Sequence, residues 1–280
     1  MMENLYMNHF LNDYHNSYRL NHSSQIPCDI KPTIWTHKKF SNPSATIKLA
    51  TMFSGIGAIE FALKRLNLNS EIVFASDNDK FVKQSYFANY DIDGNRWYDD
   101  VYDIDGKKYR NRIDLLVGGS PCQSFSMVGK RKGLEDTRGT LFYEFARVVK
   151  ESQPKVFIYE NVKGLVNHDK GNTFEVIKAT FDELGYRYYY KVLNAKDYGM
   201  PQHRERIFVV GFKDKDVEFD FPSTIELKHT MQDFLEDYIE SKYYLKEKGV
   251  KFVTSSKNKK KRYTQINGDV ALFSKYLIVS

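Results

Sequence analysis

Between Thr46 and about Phe212 the chain alternates short apolar runs with stretches of helical period, whereas neither end of the chain does so. The apolar runs fall near 47–53, 71–76, 113–118, 155–160, 187–193 and 206–212, and helical spacing of apolar residues fits 57–67, 79–89, 139–151 and 172–184. Such alternation is what βαβ units around a sheet require, so the pattern predicts an α/β fold with a mostly parallel sheet. Asn172-Thr173 followed by Glu175 marks a helix start and Gly185 a stop. Residues 1–45, rich in Asn, Ser, Tyr and His, show no sustained period and read as a poorly ordered N-terminal extension. Beyond Pro222 the alternation fades. Lys257 to Arg262 is a basic run, either a solvated loop or a segment that contacts phosphates, and Val270 to Ser280 is apolar enough to begin a further strand.

Composition narrows this picture only a little. A chain of 280 residues buries a full core, as one large domain or one domain with a smaller piece. The net charge of +6 permits a nucleic-acid partner without requiring one, and the 15% of aromatic residues are chiefly packing. No run approaches the apolar length of a membrane span and the amino terminus lacks a signal pattern, so the expectation is a cytoplasmic protein with no membrane partner. Cys28 and Cys122 lie in segments of very different character, which argues against a disulfide and for a reducing compartment. His9, His15, His22 and His37 with Cys28 match no zinc spacing, so no metal is expected.

Candidate chemistry gathers at the ends of the apolar runs. Cys122 follows Gly118-Gly119-Ser120-Pro121 at the exit of the third run; such a thiol is either a small buried apolar group or a nucleophile presented on a stiffened turn. Phe53-Ser54-Gly55-Ile56-Gly57 joins the first strand to the first helix, and Asp77 closes the second strand 20 residues beyond Gly57. That pairing suits a ligand with a ribose: backbone N–H groups at the loop and an acid for the hydroxyls. Glu60 stands where a dinucleotide fingerprint would continue, and no lysine-bearing phosphate loop is present. An adenosine ligand without a pyrophosphate fits best. Asp100 is either a contact for the adenine amino group or a turn acid. Glu160 and Asn161 emerge at the end of the 155–160 run, and Arg204 and Arg206 share a face by strand alternation, either as edge charges or as a clamp for an anion.

Six segments in this order resemble the cytosine-5 DNA methyltransferases, and among them the small bacterial restriction–modification enzymes. They are Phe53 to Gly57, Asp77 to Lys80, Ser120-Pro121-Cys122-Gln123-Ser124-Phe125-Ser126, Asp136 to Phe142, Glu160-Asn161-Val162 and Gln202-x-Arg204-x-Arg206, spanning about residues 48 to 212. The resemblance implies a Rossmann-like S-adenosylmethionine-dependent methyltransferase fold over 46–222, and methyl transfer from S-adenosyl-L-methionine to C5 of cytosine in double-stranded DNA. In that chemistry the base leaves the duplex, Cys122 adds to C6, Glu160 holds ring N3 and Arg206 lies at the base carbonyl, with Asn161 and Arg204 as positioning groups. The implied donor contacts are Phe53, Gly55, Ile56, Gly57, Asp77, Asn78, Asp100, Val101, Pro121 and Leu141. The implied DNA contacts are Gln123, Ser126, Lys130, Arg131, Lys132 and Arg138, several of them in a mobile loop over 129–138.

The chain departs from the family pattern in places. Thr51 stands where the family usually has Asp, Ala58 where it has Gly, Asp77 where it has Glu and Asn78 where it has Trp. Losing one aromatic contact to adenine predicts cofactor binding weaker by ~1 kcal/mol. Residues 223–280 read as the start of a target-recognition domain that is incomplete, so the expectation is a truncated chain or a complementing chain that carries the remainder. Two other readings share these motifs: a transfer-RNA cytosine-5 methyltransferase, and an inactive DNA-binding fragment.

Overall fold

The sheet grows outward from a strand that is buried on both faces. In the computed structural model, which describes residues 42, 44–121, 141–234, 244–254, 263–266 and 269–272, β1 (Thr46–Met52) has Leu49, Ala50 and Met52 all but sealed from solvent. β2 (Asn69–Ser76) pairs with β1 in parallel, and the two-residue β3 (Trp97–Tyr98) extends that side. On the other side β4 (Leu115–Gly118) pairs with β1, and β5 (Val156–Val162) with β4, again in parallel. β6 (Arg187–Asn194) and β7 (Glu205–Phe212) close the sheet, in the order β3-β2-β1-β4-β5-β7-β6, with β7 antiparallel to both neighbours. All six expected strands are present within two or three residues, and the sheet ends at Phe212 as the fading alternation predicts.

Helices cover both faces. α1 (Ala58–Arg65) packs through Leu63 on Leu49 and Val117. α2 (Lys80–Asn89) is started by Asp79, whose carboxylate accepts from Phe81 N and Val82 N, and it presents Tyr86 to Ala75 and Trp97. α3 (Leu141–Ser152) and α4 (Asn172–Glu183) lie on the opposite face, where the core is largely aromatic: the Tyr159 ring sits 5.5 Å from that of Phe142, and Phe157 4.9 Å from Phe181. α4 begins at Asn172 as the spacing predicts. Gly171 occupies the cap, however, while Thr173 is turned to His168 at 2.6 Å.

The chain divides into two compact units, Met1–Phe234 and Leu235–Ser280. The second contains α5 (Glu247–Thr254) and an antiparallel pair, β8 (Tyr263–Ile266) with β9 (Asp269–Leu272). The expectations for residues 1–41 and for the basic run 257–262 lie outside the described residues.

Candidate active site

Strand order reverses at β1, which sends its successors β2 and β4 to opposite sides, and crevices at such points, at the carboxyl ends of the strands, are where open α/β sheets bind ligands. The exits of β1, β2, β4 and β5 all lie at this edge. Because β7 runs antiparallel to β5, its first residues meet the last residues of β5: Val162 pairs with Arg206, which sets Arg206 diagonal to Glu160 on one face.

Glu160 Oε1 and Arg206 Nε are 2.9 Å apart, with about a third of the carboxylate and a fifth of the guanidinium left open to solvent. Burial pushes the Glu160 carboxyl above its ordinary 4.5, and the nearby charges of Arg206 and Arg204 oppose that shift without cancelling it. Burial and the charge of Arg206 lower the pKa of Arg204, whose backbone N–H donates to Asn194. Gly119 lies against Glu160. A Cβ there would meet the Glu160 carbonyl oxygen and Oε2, each at 2.9 Å, so the close approach of β4 to this acid needs glycine.

Asn161 faces the other way and is buried. Its Nδ2 donates to Ser120 O at 2.8 Å and to Tyr159 OH at 3.0 Å, while Ser120 Oγ and Tyr159 OH are 2.8 Å apart. These bonds clamp the exit of β4 to β5 one residue before Pro121, the last described residue ahead of Cys122. Cys122 itself, with Gln123, Ser126, Lys130, Arg131, Lys132 and Arg138, lies outside the described residues.

At the other side of the crevice the glycine loop is held by side chains. Phe53, Gly55 and Gly57 all have positive φ, a strained setting for Phe53. Asp77 ties the loop to the exit of β2: Oδ2 accepts from Gly55 N at 3.0 Å and Oδ1 from Asp79 N at 3.1 Å. Tyr90 OH donates to Gly57 O at 2.6 Å. Ile56 and Asn78 are exposed at this edge. Asp100 takes the turn-acid role, accepting from Tyr102 N at 3.0 Å, and Val101 behind it is buried. Leu141 opens α3 and packs on the core.

Three features escaped sequence reasoning. Arg147 holds the segment after Asp100 by donating to Val101 O and Ile104 O while it pairs with Glu144 and Glu151. Tyr159 completes the Asn161 clamp. Glu60, noticed only as a missing glycine, is a buried acid bonded to Thr51 and Tyr86. Its one sequence signal is an acid between Ile59 and Phe61 in an apolar helix. Among the described residues no cluster of His, Cys, Asp or Glu suits a metal ion, and no helix is long and apolar enough to cross a membrane.

This strand order, with a glycine loop after β1 and an acid after β2, is a Rossmann-like α/β fold, and DNMT2 of Spodoptera frugiperda shares it at a TM-score of 0.58 and 21% identity over 72% of this chain and 63% of that one. The sequence pattern of C-5 cytosine-specific DNA methylases matches residues 47–276, and the chain belongs to that family. It is 43% identical over 231 residues to the orphan methyltransferase M.SPRI of Bacillus phage SPR, covering 72% of this chain and 52% of that protein. With the type II methyltransferase M.SsoII of Shigella sonnei it shares 42% over 209 residues, 73% of this chain and 54% of that one. The chain spans about half the length of these curated relatives.

Proposed function

We propose that this chain carries the catalytic part of a DNA cytosine-5 methyltransferase of a restriction–modification system, using S-adenosyl-L-methionine as methyl donor and double-stranded DNA as substrate. The observation that supports it most is the Glu160–Arg206 pair at the exit of β5, beside the glycine that lets β4 approach it.

Each residue has a task in this reading. Cys122 adds as thiolate to C6 of a flipped cytosine, which makes C5 nucleophilic. Glu160, its carboxyl raised by burial, shares a proton with ring N3 so that charge does not build up there, and Arg206 stabilises charge at the base carbonyl. Asn161 keeps the β4 exit, and hence the approach to Cys122, in register with β5. After C5 has taken the methyl group, loss of the C5 proton to a base or water expels the thiolate.

The loop accepts an adenosine ligand on its own geometry: the backbone bends through three positive-φ residues, and Asp77 stands at the exit of β2 with each oxygen still able to accept a further bond. Phe53, Gly55, Ile56, Asp77 and Val101 would hold the donor, which supplies an electrophilic methyl group when bound. Gln123, Ser126 and the cations Lys130, Arg131, Lys132 and Arg138 would contact DNA. The reading extends to a cytoplasmic protein, residues 46–222 as catalytic domain, and a complementing chain or further segment that carries target recognition.

Transfer of label from S-adenosyl-L-methionine tests it, with unmethylated duplex DNA and transfer RNA as separate substrates. The expected result is label at C5 of cytosine in DNA, with a covalent adduct to a 5-fluorocytosine duplex that Cys122→Ala abolishes. Label in transfer RNA alone favours the RNA enzyme. No adduct with donor present, either alone or with a chain supplying the recognition domain, leaves a DNA-binding fragment. The match to the C-5 cytosine-specific DNA methylase family, with 41–42% identity to type II methyltransferases, supports the DNA arm.

A further inference from the structure

Beneath the glycine loop lies an acid that this chemistry does not use. Glu60, on the first turn of α1, is 4% exposed. Its Oε1 accepts from Thr51 Oγ1 at 3.0 Å and from Tyr86 OH at 2.5 Å, and its Oε2 is buried with no hydrogen-bond partner among the described residues. Both partners are neutral hydroxyls. The amino end of α1 offsets part of the charge, but an acid in this setting remains costly unless a positive group comes near.

A chain of hydrogen bonds leads from Glu60 to the loop. With the Thr51 hydroxyl given to Glu60, Ser54 Oγ donates to Thr51 Oγ1 at 2.8 Å and accepts from Ser76 N at 3.0 Å. One acid therefore touches the exit of β1 and, through Ser54, the exit of β2. Strand order says what passes above it. A donor whose ribose met Asp77 over β2, and whose methyl group reached a base over β4 and β5, would carry its sulfonium between them, over β1. Thr51, where the family usually carries Asp, is the next-to-last residue of that strand.

We propose that Glu60 is a positioning residue for the methyl donor: its negative charge, relayed through Thr51 and Ser54, sets the loop to receive the cationic amino-acid arm, with its ammonium and sulfonium. The proposal rests on the cofactor reading above. Thr51 joins this helix acid to the end of the strand.

Calorimetric titration of the 280-residue chain with S-adenosyl-L-methionine and with 5′-methylthioadenosine, which lacks the charged arm, tests it. Glu60→Gln should bind S-adenosyl-L-methionine about tenfold more weakly, and 5′-methylthioadenosine within about twofold of wild type, as expected for losing one charged partner. The double variant Thr51→Asp/Glu60→Gln places the acid on the strand and should restore S-adenosyl-L-methionine binding, and it carries the test where Glu60→Gln alone folds poorly. Equal loss of both ligands without rescue, or no loss at all, overturns the proposal. A wild-type chain that binds neither ligand overturns the cofactor reading itself.

Discussion

Glu160 holds its proton more tightly than a carboxyl in water because burial outweighs the pull of two guanidinium groups. An acid whose folded pKa lies above its unfolded value binds protons preferentially in the folded chain. Its contribution to stability is therefore greatest below 4.5, falls as pH rises through the raised value, and stays at its lowest above it. The difference in unfolding free energy between wild type and Glu160→Gln should decrease over that window; a flat difference would mean that Glu160 is not shifted. Measuring the difference separates Glu160 from Asp99, Asp114 and Glu205, whose lowered values give slopes of opposite sign. Gly119→Ala probes the same acid sterically. Its methyl group meets backbone as well as carboxylate, so we expect a cost of about 1–3 kcal/mol in denaturant unfolding and loss of methyl transfer with the fold retained.

Elements are joined here by side chains as well as by ladders. Asn161 fastens β5 to the exit of β4, and Asn161→Ala leaves the buried Ser120 carbonyl without that donor. We expect about 2 kcal/mol of lost stability, together with slower adduct formation at Cys122 in the 5-fluorocytosine assay. Arg147 fastens α3 to the turn after Asp100. Arg147→Ala should cost about 2 kcal/mol and weaken S-adenosyl-L-methionine binding in calorimetry, because Val101 is released with the turn. Neither tie was wholly legible in the sequence. Glu160 and Asn161 stood out because they end an apolar run, and Arg204 and Arg206 because they lead into one on a shared face, but hydrophobic period carries no strand direction, and only an antiparallel β7 brings Arg206 to Glu160. Arg147 reaches carbonyls 43 and 46 residues away, and Glu60 meets a hydroxyl 26 residues away, separations at which local pattern says nothing. β3, two residues long, is too short for any period and shows in the sequence only as a turn.

At the scale of the whole molecule, one sheet edge carries two groups on either side of β1, the glycine loop with Asp77 toward β2 and Glu160 with Arg206 toward β5, which the proposed function assigns to donor and base. The apolar runs carried most of this layout, since strands buried on both faces must be apolar throughout, and the strand ends then mark the edge. Such a division predicts that donor binding stabilises the Met1–Phe234 unit independently of the base side. At about a hundredfold excess over its dissociation constant, S-adenosyl-L-methionine should add about 2.7 kcal/mol to unfolding, an upward shift in Tm of about 5–10 °C for a body of this size. Arg206→Ala, on the base side, should keep that shift even as it loses methyl transfer. Asp77→Ala should lose it, because the loop's Gly55 N–H and the Asp79 N–H then have no carboxylate to meet. Scanning calorimetry of the three chains with and without donor checks this. Equal shifts in all three would place the donor away from Asp77, and loss of the shift in Arg206→Ala would mean that the two sides of β1 act as one site.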